Sequence, residues 1–179
     1  MLFAVSSTRL FLGTDKKTMQ SLALFIFAFI FGSFLEYWVH RLMHQYPKFG
    51  NGLTAHYSHH RSNAAKGFVG DFLDYCLVSI LVLPAFLVSV YLGCVMVLGT
   101  IAFAAFASYA HQVQHYTPHK CFWMKMPLHY VHHNGKDQWN SNFGLAIDWW
   151  DHIFGTYKAV DWVSEITHKS GKTAYSNAK

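Results

Sequence analysis

The residues of this chain that could do chemistry are its histidines, most of which fall into four tight groups. Two groups are pairs four residues apart, and two are triples within five residues. Residues four apart lie on one face of an α-helix, so each pair presents two imidazoles side by side, and each triple is expected to present three. This is the spacing of metal ligands. The ten grouped histidines are His40, His44, His56, His59, His60, His111, His115, His129, His132 and His133.

Imidazole nitrogen binds iron, zinc, copper and nickel, so the residue type alone does not identify the metal. The number of histidines narrows the choice, because a structural zinc ion takes four ligands and a catalytic one takes three and a water. Ten histidines shared by two ions leave about five for each, which favours six-coordinate ions with an exchangeable oxygen ligand. A redox-active iron pair that handles dioxygen needs such coordination. Zinc is a metal that histidine-rich sites can acquire during purification.

A ligating imidazole usually donates its second N–H to a carboxylate or a carbonyl. Glu36, one helical turn before His40, has a suitable position, although a carboxylate at a helix end can also extend to the membrane interface. Four aspartates are further candidates for this role: Asp71, Asp74, Asp148 and Asp151. Three histidines outside the four groups are interpreted as ordinary hydrogen-bonded residues: His119, His152 and His168.

The composition indicates that the histidines are carried by a membrane protein. Of 179 residues, 53% are hydrophobic and only 13% are charged, and the length allows at most one domain. Basic residues exceed acidic ones by 14 to 9 but form no dense block, so we expect no nucleic-acid partner. Cys76, Cys94 and Cys121 form no CxxC pair, which argues against a zinc ribbon or a disulfide framework.

Two long apolar segments must position the histidines. Residues 21–39 contain one charged residue, Glu36, and as a helix would extend roughly 28 Å, enough to cross the hydrocarbon core. Residues 75–109 contain no charged residue, and a single helix of that length would measure about 52 Å. We therefore predict a hairpin of two helices that turns near residues 91–93, with Pro84 kinking the first arm.

One crossing followed by a hairpin returns the chain to the same side, so all four histidine groups should lie on one face of the membrane. Seven basic residues lie on that side and three on the other, which places the histidines in the cytosol by the positive-inside rule. The predicted fold class is all-α, an integral membrane helical bundle with a cytosolic, histidine-rich di-metal cap. We divide the chain into an interfacial or disordered segment (1–18), the membrane domain (19–160) and a C-terminal tail (161–179).

The four groups resemble the histidine boxes of the membrane-bound fatty acid hydroxylase and sterol desaturase superfamily of non-haem di-iron oxygenases. Residues 142–144, Asn-Phe-Gly, and 150–156, Trp-Asp-His-Ile-Phe-Gly-Thr, are similar to that family's ending. The resemblance implies that the ten histidines ligate two iron ions. It also implies that the chain hydroxylates or desaturates a lipid with dioxygen and two electrons. The segment 142–156 is either a folded cap over the metals or an ordinary turn-rich ending.

The chain is shorter than many members of that superfamily, which implies a smaller substrate tunnel or one partly built by another subunit. We expect no second domain that could bind haem, and therefore expect electrons from a separate ferredoxin or b-type cytochrome. A carotenoid hydroxylase is a related possibility, although the ending resembles the fatty acid and sterol branch more closely. The expected substrate is a fatty acyl, sterol or isoprenoid lipid, in the endoplasmic reticulum or a bacterial inner membrane.

Two non-enzymatic functions stay open at this point. A membrane haem protein needs histidines opposed across two helices near the bilayer centre, and it would show a Soret band. A metal carrier would place polar ligands inside its spans, where residues 21–35 and 76–108 offer only hydroxyls, thiols and a thioether. A zinc hydrolase is disfavoured because no Ser, Cys or Glu lies in a recognisable nucleophile motif.

Overall fold

The computed structural model describes residues 3–163, with the backbone alone for residues 3–15 and for Leu53. Its regular elements are all helices, and no β-strand occurs in these residues. Three helical segments are long and apolar enough to cross a membrane: Lys16–Gln45, Phe68–Leu87 and Val90–Tyr116. The predicted all-α class is confirmed, and the three candidate spans agree in number with the predicted crossings.

The first crossing belongs to a single long helix, α1 (Phe3–Gln45). The predicted span 21–39 lies inside it, and the helix continues past residue 39 because residues 40–46 contain no glycine or proline. His40 and His44 therefore lie on the same helix, one turn apart. The predicted division at residue 18 falls within α1 and stays a prediction, and residues 164–179 of the predicted tail lie outside the described residues.

The second and third crossings form the predicted hairpin. α3 (Phe68–Cys76) continues directly into a 3₁₀-helical segment, Leu77–Leu87, which contains Pro84. The turn lies at residues 88–89, earlier than predicted, because the side chain of Ser89 caps the next helix. Its Oγ accepts a hydrogen bond from the backbone N–H of Leu92 at 3.1 Å. The third crossing is α4 (Val90–Tyr116).

Small residues allow α1 and α4 to pack closely. A Cβ atom added at Gly99 would lie 2.5 Å from Cβ of Ala28. Next to this contact, the ring of Phe103 packs edge-on against Phe29, with 5.4 Å between centroids. Small side chains at helix interfaces are the usual means of close packing in membranes, where lipid is as apolar as leucine.

The remaining elements form a cap at the end of the bundle that carries the histidines. They are a π-helical turn (Lys48–Leu53), α2 (His56–Ser62), a 3₁₀ turn (Pro118–Lys120), α5 (Leu128–Asn134) and α6 (Trp149–Ile153). An apolar cluster joins the cap to the last turn of α4: Val113, Cys121, Met124, Met126, Leu128 and Val131. The predicted histidine-rich cap is confirmed, whereas its cytosolic side stays a prediction.

Candidate metal centre

Five imidazoles form the first group of candidate ligands, which we call the His44 group. One ring nitrogen of each lies within 4.8 Å of those of the others: His40, His44, His56, His60 and His132. Nε2 of His44 lies 2.8 Å from Nε2 of His56, 3.2 Å from that of His60 and 2.9 Å from that of His132. Nε2 of His40 is buried and has no hydrogen-bond partner among the described residues.

These distances fit a metal ion better than direct contacts between rings. A neutral imidazole carries one N–H, so four converging Nε2 atoms cannot all be paired among themselves. Around an ion with metal–nitrogen bonds of about 2.1 Å, adjacent octahedral ligands lie about 3.0 Å apart and tetrahedral ligands about 3.4 Å apart. The observed separations of 2.8 to 3.2 Å match the octahedral value. The donor set therefore fits a six-coordinate ion.

Four further imidazoles form the His111 group: His59, His111, His115 and His129. Nε2 of His111 lies 3.2 Å from Nε2 of His59 and 3.1 Å from that of His115. Nε2 of His115 lies 3.1 Å from that of His129. These separations between Nε2 atoms also match adjacent ligands of an octahedral ion, so this group too fits a metal ion.

Each histidine triple divides between the two groups, contrary to the expectation that its three imidazoles act side by side. On α2, His56 and His60 are one turn apart and belong to the His44 group. His59 lies about 100° around the helix from His60, so its ring faces the other group. On α5, His132 and His129 separate in the same way. Both groups therefore contain residues from distant parts of the chain.

His133 belongs to neither group by ligand distance. Its ring is stacked on that of His60, with 4.0 Å between centroids, and its centroid is 4.4 Å from that of His129. Both of its ring nitrogens are buried without a hydrogen-bond partner in the described chain. The structure therefore brings nine of the ten predicted ligands into two groups, of five and four, and places the tenth beside both.

Hydrogen bonds to Nδ1 orient several of these rings. Nδ1 of His40 donates to the carbonyl of Phe143 at 2.5 Å, and Nδ1 of His132 donates to that of Ser141 at 2.7 Å. Nδ1 of His59 donates to the carbonyl of Ala64 at 3.0 Å. Each bond places the proton on Nδ1 and leaves the Nε2 lone pair directed at the group. Sequence reasoning could not identify these carbonyls, because every residue carries one.

Asp71 is the predicted carboxylate that the structure places against an imidazole. Its Oδ2 accepts a hydrogen bond from Nδ1 of His111 at 2.7 Å, and both side chains are buried. The backbone N–H of Lys66 donates to Oδ1 at 3.1 Å, and the side-chain amide of Gln112 donates to Oδ2. These contacts hold Asp71 at the start of α3 and connect that helix to the end of α4.

The other predicted carboxylates have different contacts. Oε1 of Glu36 lies 3.9 Å from Nδ1 of His40, beyond hydrogen-bond distance, and its Oε2 accepts from the backbone N–H of Leu145 at 3.3 Å. Glu36 is buried, so it does not extend to the membrane interface. Asp74 pairs with Lys66 at the surface. Asp148 lies beside His152, which, like His119, is outside both groups, and His168 lies outside the described residues.

Asp151 organises the segment 142–156, which is a folded cap and not an ordinary turn-rich ending. Its carboxylate accepts hydrogen bonds from the backbone N–H groups of Phe143 (2.8 Å) and Gly144 (2.6 Å) and from the hydroxyl of Thr156 (2.6 Å). Burial raises the pKa of Asp151, while these hydrogen bonds lower it. The bonds fix the loop of residues 142–148, which we call the cap loop and whose Phe143 carbonyl orients His40.

Gln114 is a residue of the site that sequence reasoning missed. Its side chain is fully buried, and its amide nitrogen donates to the carbonyl of Leu145 at 2.5 Å. Its amide oxygen accepts from the backbone N–H of His129 at 2.8 Å. Gln114 thereby joins α4, α5 and the cap loop. The available signal was a polar residue on α4 between His111 and His115.

Burial lowers the pKa of four candidate ligands in the cap, His56, His59, His60 and His132. Burial, together with electrostatic repulsion from neighbouring imidazoles, lowers the pKa of His56 and His60 to about 2. Burial likewise lowers the pKa of His59 and His132 to about 4. A neutral imidazole is the form that binds a metal ion, so these groups need not lose a proton to become ligands.

A cavity of about 150 Å³ lies against both groups. Its walls include apolar residues of α1 and of the second crossing, such as Val39, Met43 and Val78. Histidines of both groups also line it, among them His56 and His111. An apolar molecule in this cavity would therefore contact the candidate ligands of both sites.

Comparison with known proteins connects this geometry to a family. Two rice proteins, both named very-long-chain aldehyde decarbonylase GL1-4, from Oryza sativa subsp. indica and subsp. japonica, are 23% identical to the chain over 133 residues. The alignment covers 69% of this chain but only 22% of each rice protein. No solved structure matches the chain significantly.

The family model for the fatty acid hydroxylases matches residues 25–156. This range contains the three crossings from Phe25 onward, both histidine groups and the cap loop that orients them, so the match includes the whole candidate centre. By this match, and in agreement with its four histidine boxes, the chain belongs to the fatty acid hydroxylase family.

Proposed function

We propose that the protein is a membrane-bound di-iron oxygenase that hydroxylates or desaturates a lipid. The observation that carries the proposal is the convergence of nine imidazoles into two groups beside one cavity whose walls include apolar residues. Hydroxylation would follow RH + O₂ + 2e⁻ + 2H⁺ → ROH + H₂O. Desaturation would use the same dioxygen, electrons and protons to form a C=C bond and two water molecules. The lipid is a fatty acyl, sterol or isoprenoid compound.

The proposed cofactors are two iron ions, although zinc can occupy such sites in isolated protein. When bound, iron supplies the oxidising chemistry, accepting electrons, reducing dioxygen and removing hydrogen from a C–H bond. The His44 group would hold one ion and the His111 group the other. His133 is the tenth proposed ligand, because both of its buried nitrogens are without a partner in the described chain.

The protein's own residues would bind the lipid, orient the ligands and exclude water. We propose that the lipid enters between α1 and the second crossing, whose apolar side chains line the cavity. The carbonyls of Phe143 and Ser141 and the carboxylate of Asp71 would keep Nε2 of their histidines directed at the metals. Burial of the histidines keeps bulk water from the reacting centre.

Two proposals concern the surroundings of the enzyme. A separate ferredoxin or b-type cytochrome would supply the electrons at the histidine-rich end. That end would face the cytosol, since it carries most of the basic residues, in the endoplasmic reticulum or a bacterial inner membrane.

The distances between ring nitrogens argue against the haem alternative. Axial ligands on opposite sides of a haem iron lie about 4 Å apart with the porphyrin between them. Nε2 atoms of the His44 group separated by 2.8 to 3.2 Å leave no room for a porphyrin. The position of both groups at the end of the crossings also disfavours a metal carrier, which needs ligands along its path.

Lipid mass spectrometry tests the proposal. Lipids of cells that express the protein would be compared with those of cells that express the His132→Ala variant. We expect a mass gain of one oxygen or a loss of two hydrogens in one lipid class, absent with the variant. Long-chain aldehydes belong in the search because the rice relatives are named for them. Identical lipid profiles, with iron present in the purified protein, would refute the proposal.

A further inference from the structure

A second cavity, of about 360 Å³, lies away from both histidine groups. Phe106 and Tyr109 of α4 line one wall, and residues 122–124 and 146–149 of the cap complete it. No residue that lines this second cavity belongs to the His44 group or the His111 group. The cavity therefore joins a membrane-crossing helix to the cap at a place that the proposed reaction does not use.

Aromatic rings surround this cavity. The centroid of Trp123 lies 5.6 Å from that of Phe106, 5.9 Å from that of Tyr109 and 5.4 Å from that of Phe122. Trp149 adds a fifth aromatic side chain to the lining. The faces of aromatic rings carry negative electrostatic potential, and boxes of several rings bind quaternary ammonium groups.

The carboxylate of Asp148 also lines the aromatic cavity. Its side chain is 20% exposed, and its nearest basic neighbour is His152, with 3.7 Å between Oδ2 and Nε2. In residues 16–163 no lysine or arginine nitrogen lies within ion-pair distance of Asp148. An aromatic belt at the membrane interface accounts for exposed rings. It does not account for a cavity that places a carboxylate with no permanent cationic partner among those rings.

Two lysines are close in sequence to the residues of the cap that line this cavity. Lys120 and Lys125 flank residues 122–124, and both side chains are exposed. A phospholipid headgroup with an ammonium end carries its phosphate a few bonds away, and these two lysines, close in sequence to the lining residues, offer positive charge for it. The exposed ring of Phe122, at 88%, lies between them in the chain.

We propose that the aromatic cavity binds the headgroup of a zwitterionic phospholipid, with its quaternary ammonium among the rings beside Asp148 and its phosphate near Lys120 and Lys125. The acyl chains would extend along α4 below Phe106. Such a lipid would hold the cap against the membrane surface. The proposal does not depend on the oxygenase function, since the cavity is separate from the histidine groups.

Lipid retention tests this site. The full-length protein would be reconstituted in nanodiscs of equimolar phosphatidylcholine and phosphatidylglycerol, extracted in mild detergent and analysed for retained lipid by mass spectrometry. We expect phosphatidylcholine to be enriched about fivefold, because partly exposed aromatic rings beside a carboxylate favour a quaternary ammonium group by that order. Addition of excess choline chloride before extraction should lower the retained phosphatidylcholine.

Two variants should abolish the enrichment, Asp148→Asn by removing the charge and Phe122→Leu by removing a ring. Phe122 is exposed, so its replacement does not disturb packing. Matched controls are Asp137→Asn, an exposed aspartate elsewhere in the cap, and Phe27→Leu, an exposed phenylalanine on α1. Both controls should retain phosphatidylcholine as the unmodified protein does. Retention of the two lipids in bulk proportion, or enrichment that survives both test variants, would overturn the proposal.

Discussion

Among single residues outside the set of candidate ligands, Asp71 is the one whose replacement should most affect metal binding. Its Oδ2 accepts a hydrogen bond from Nδ1 of His111, with 2.7 Å between the two atoms. Asp71→Asn keeps the shape but removes the negative charge that makes the imidazole a stronger ligand. Loss of such an orienting carboxylate lowers metal affinity by about tenfold to a hundredfold. Competition with a chelator of known affinity measures the change.

Asp74→Asn is the matched control for Asp71. Asp74 lies on the same helix and pairs with Lys66, but its side chain is 51% exposed. An exposed ion pair contributes little, so metal affinity should change by less than about twofold. An equal loss of affinity in both variants would show that the charge of α3, and not the contact with His111, is responsible.

The division of the histidine triples makes a prediction about metal content. His59 and His132 lie in different groups, so His59→Ala and His132→Ala should each remove about one of two ions and abolish turnover. Elemental analysis of the purified variants measures the metal. The control is His119→Ala, since His119 is exposed and outside both groups. A fully active or fully metallated His132→Ala variant would contradict the assignment.

The lowered pKa values of His59 and His132 predict how the metal-free protein responds to acid. In the folded state burial holds the pKa of His59 and His132 at about 4, whereas an unfolded imidazole has its ordinary pKa of 6.5. As the pH falls below about 6.5, the unfolded state takes up protons that the folded state does not, so stability decreases. Above that pH both states are neutral and these groups contribute no pH dependence.

Thermal unfolding in detergent at several pH values measures this effect. The midpoint of the metal-free protein should be constant above about pH 7 and should fall between about pH 6.5 and 4. Bound metal should reduce the fall, because it stabilises the folded state by mass action. A midpoint that rises on acidification would contradict the depressed pKa values of these histidines.

Among the structural elements, the cap loop depends on one buried carboxylate. Asp151→Ala leaves the N–H groups of Phe143 and Gly144 without their acceptor. Loss of these charge-assisted bonds should lower stability by about 3 kcal/mol. Because the loop also supplies the carbonyl that orients His40, metal content of the His44 group should decrease with it. Thermal unfolding and elemental analysis test the two effects.

Two other variants separate the role of Asp151 from a general effect of charge. Asp151→Asn keeps one acceptor oxygen and should lose less stability than Asp151→Ala. Asp137→Asn removes an exposed carboxylate of the cap and should have a midpoint within experimental error of the unmodified protein. If Asp151→Ala were as stable as Asp137→Asn, the loop would have another source of order.

For the whole molecule, the proposed orientation predicts the accessibility of the two ends of the bundle. Ser62 in the cap and Ser89 at the hairpin turn are both exposed. In a variant with the three cysteines replaced, Ser62→Cys should react with a membrane-impermeant maleimide only from the cytosolic side, and Ser89→Cys only from the opposite side. Labelling of both positions from one side would refute three crossings, and the reverse pattern would refute the orientation.

Composition and local pattern predicted much of this architecture. Apolar length gave the crossings, because a bilayer requires about 20 apolar residues per helix and excludes charge. Histidine spacing identified the candidate ligands, because a helix places residues four apart on one face. The hairpin turn was displaced because a serine cap defined the start of α4, a local contact that hydropathy does not record.

By itself the sequence determined which residues could bind metal, how many segments are apolar enough to cross a membrane, and that the histidines lie at one end. Only the tertiary structure decided how the ten histidines divide, since that depends on how α2 and α5 are rotated against α1 and α4. It also decided that Asp71 and the carbonyls of residues 141 and 143 orient them. Spacing along a chain fixes which side chains share a helix face. The packing of helices far apart in sequence fixes which faces meet.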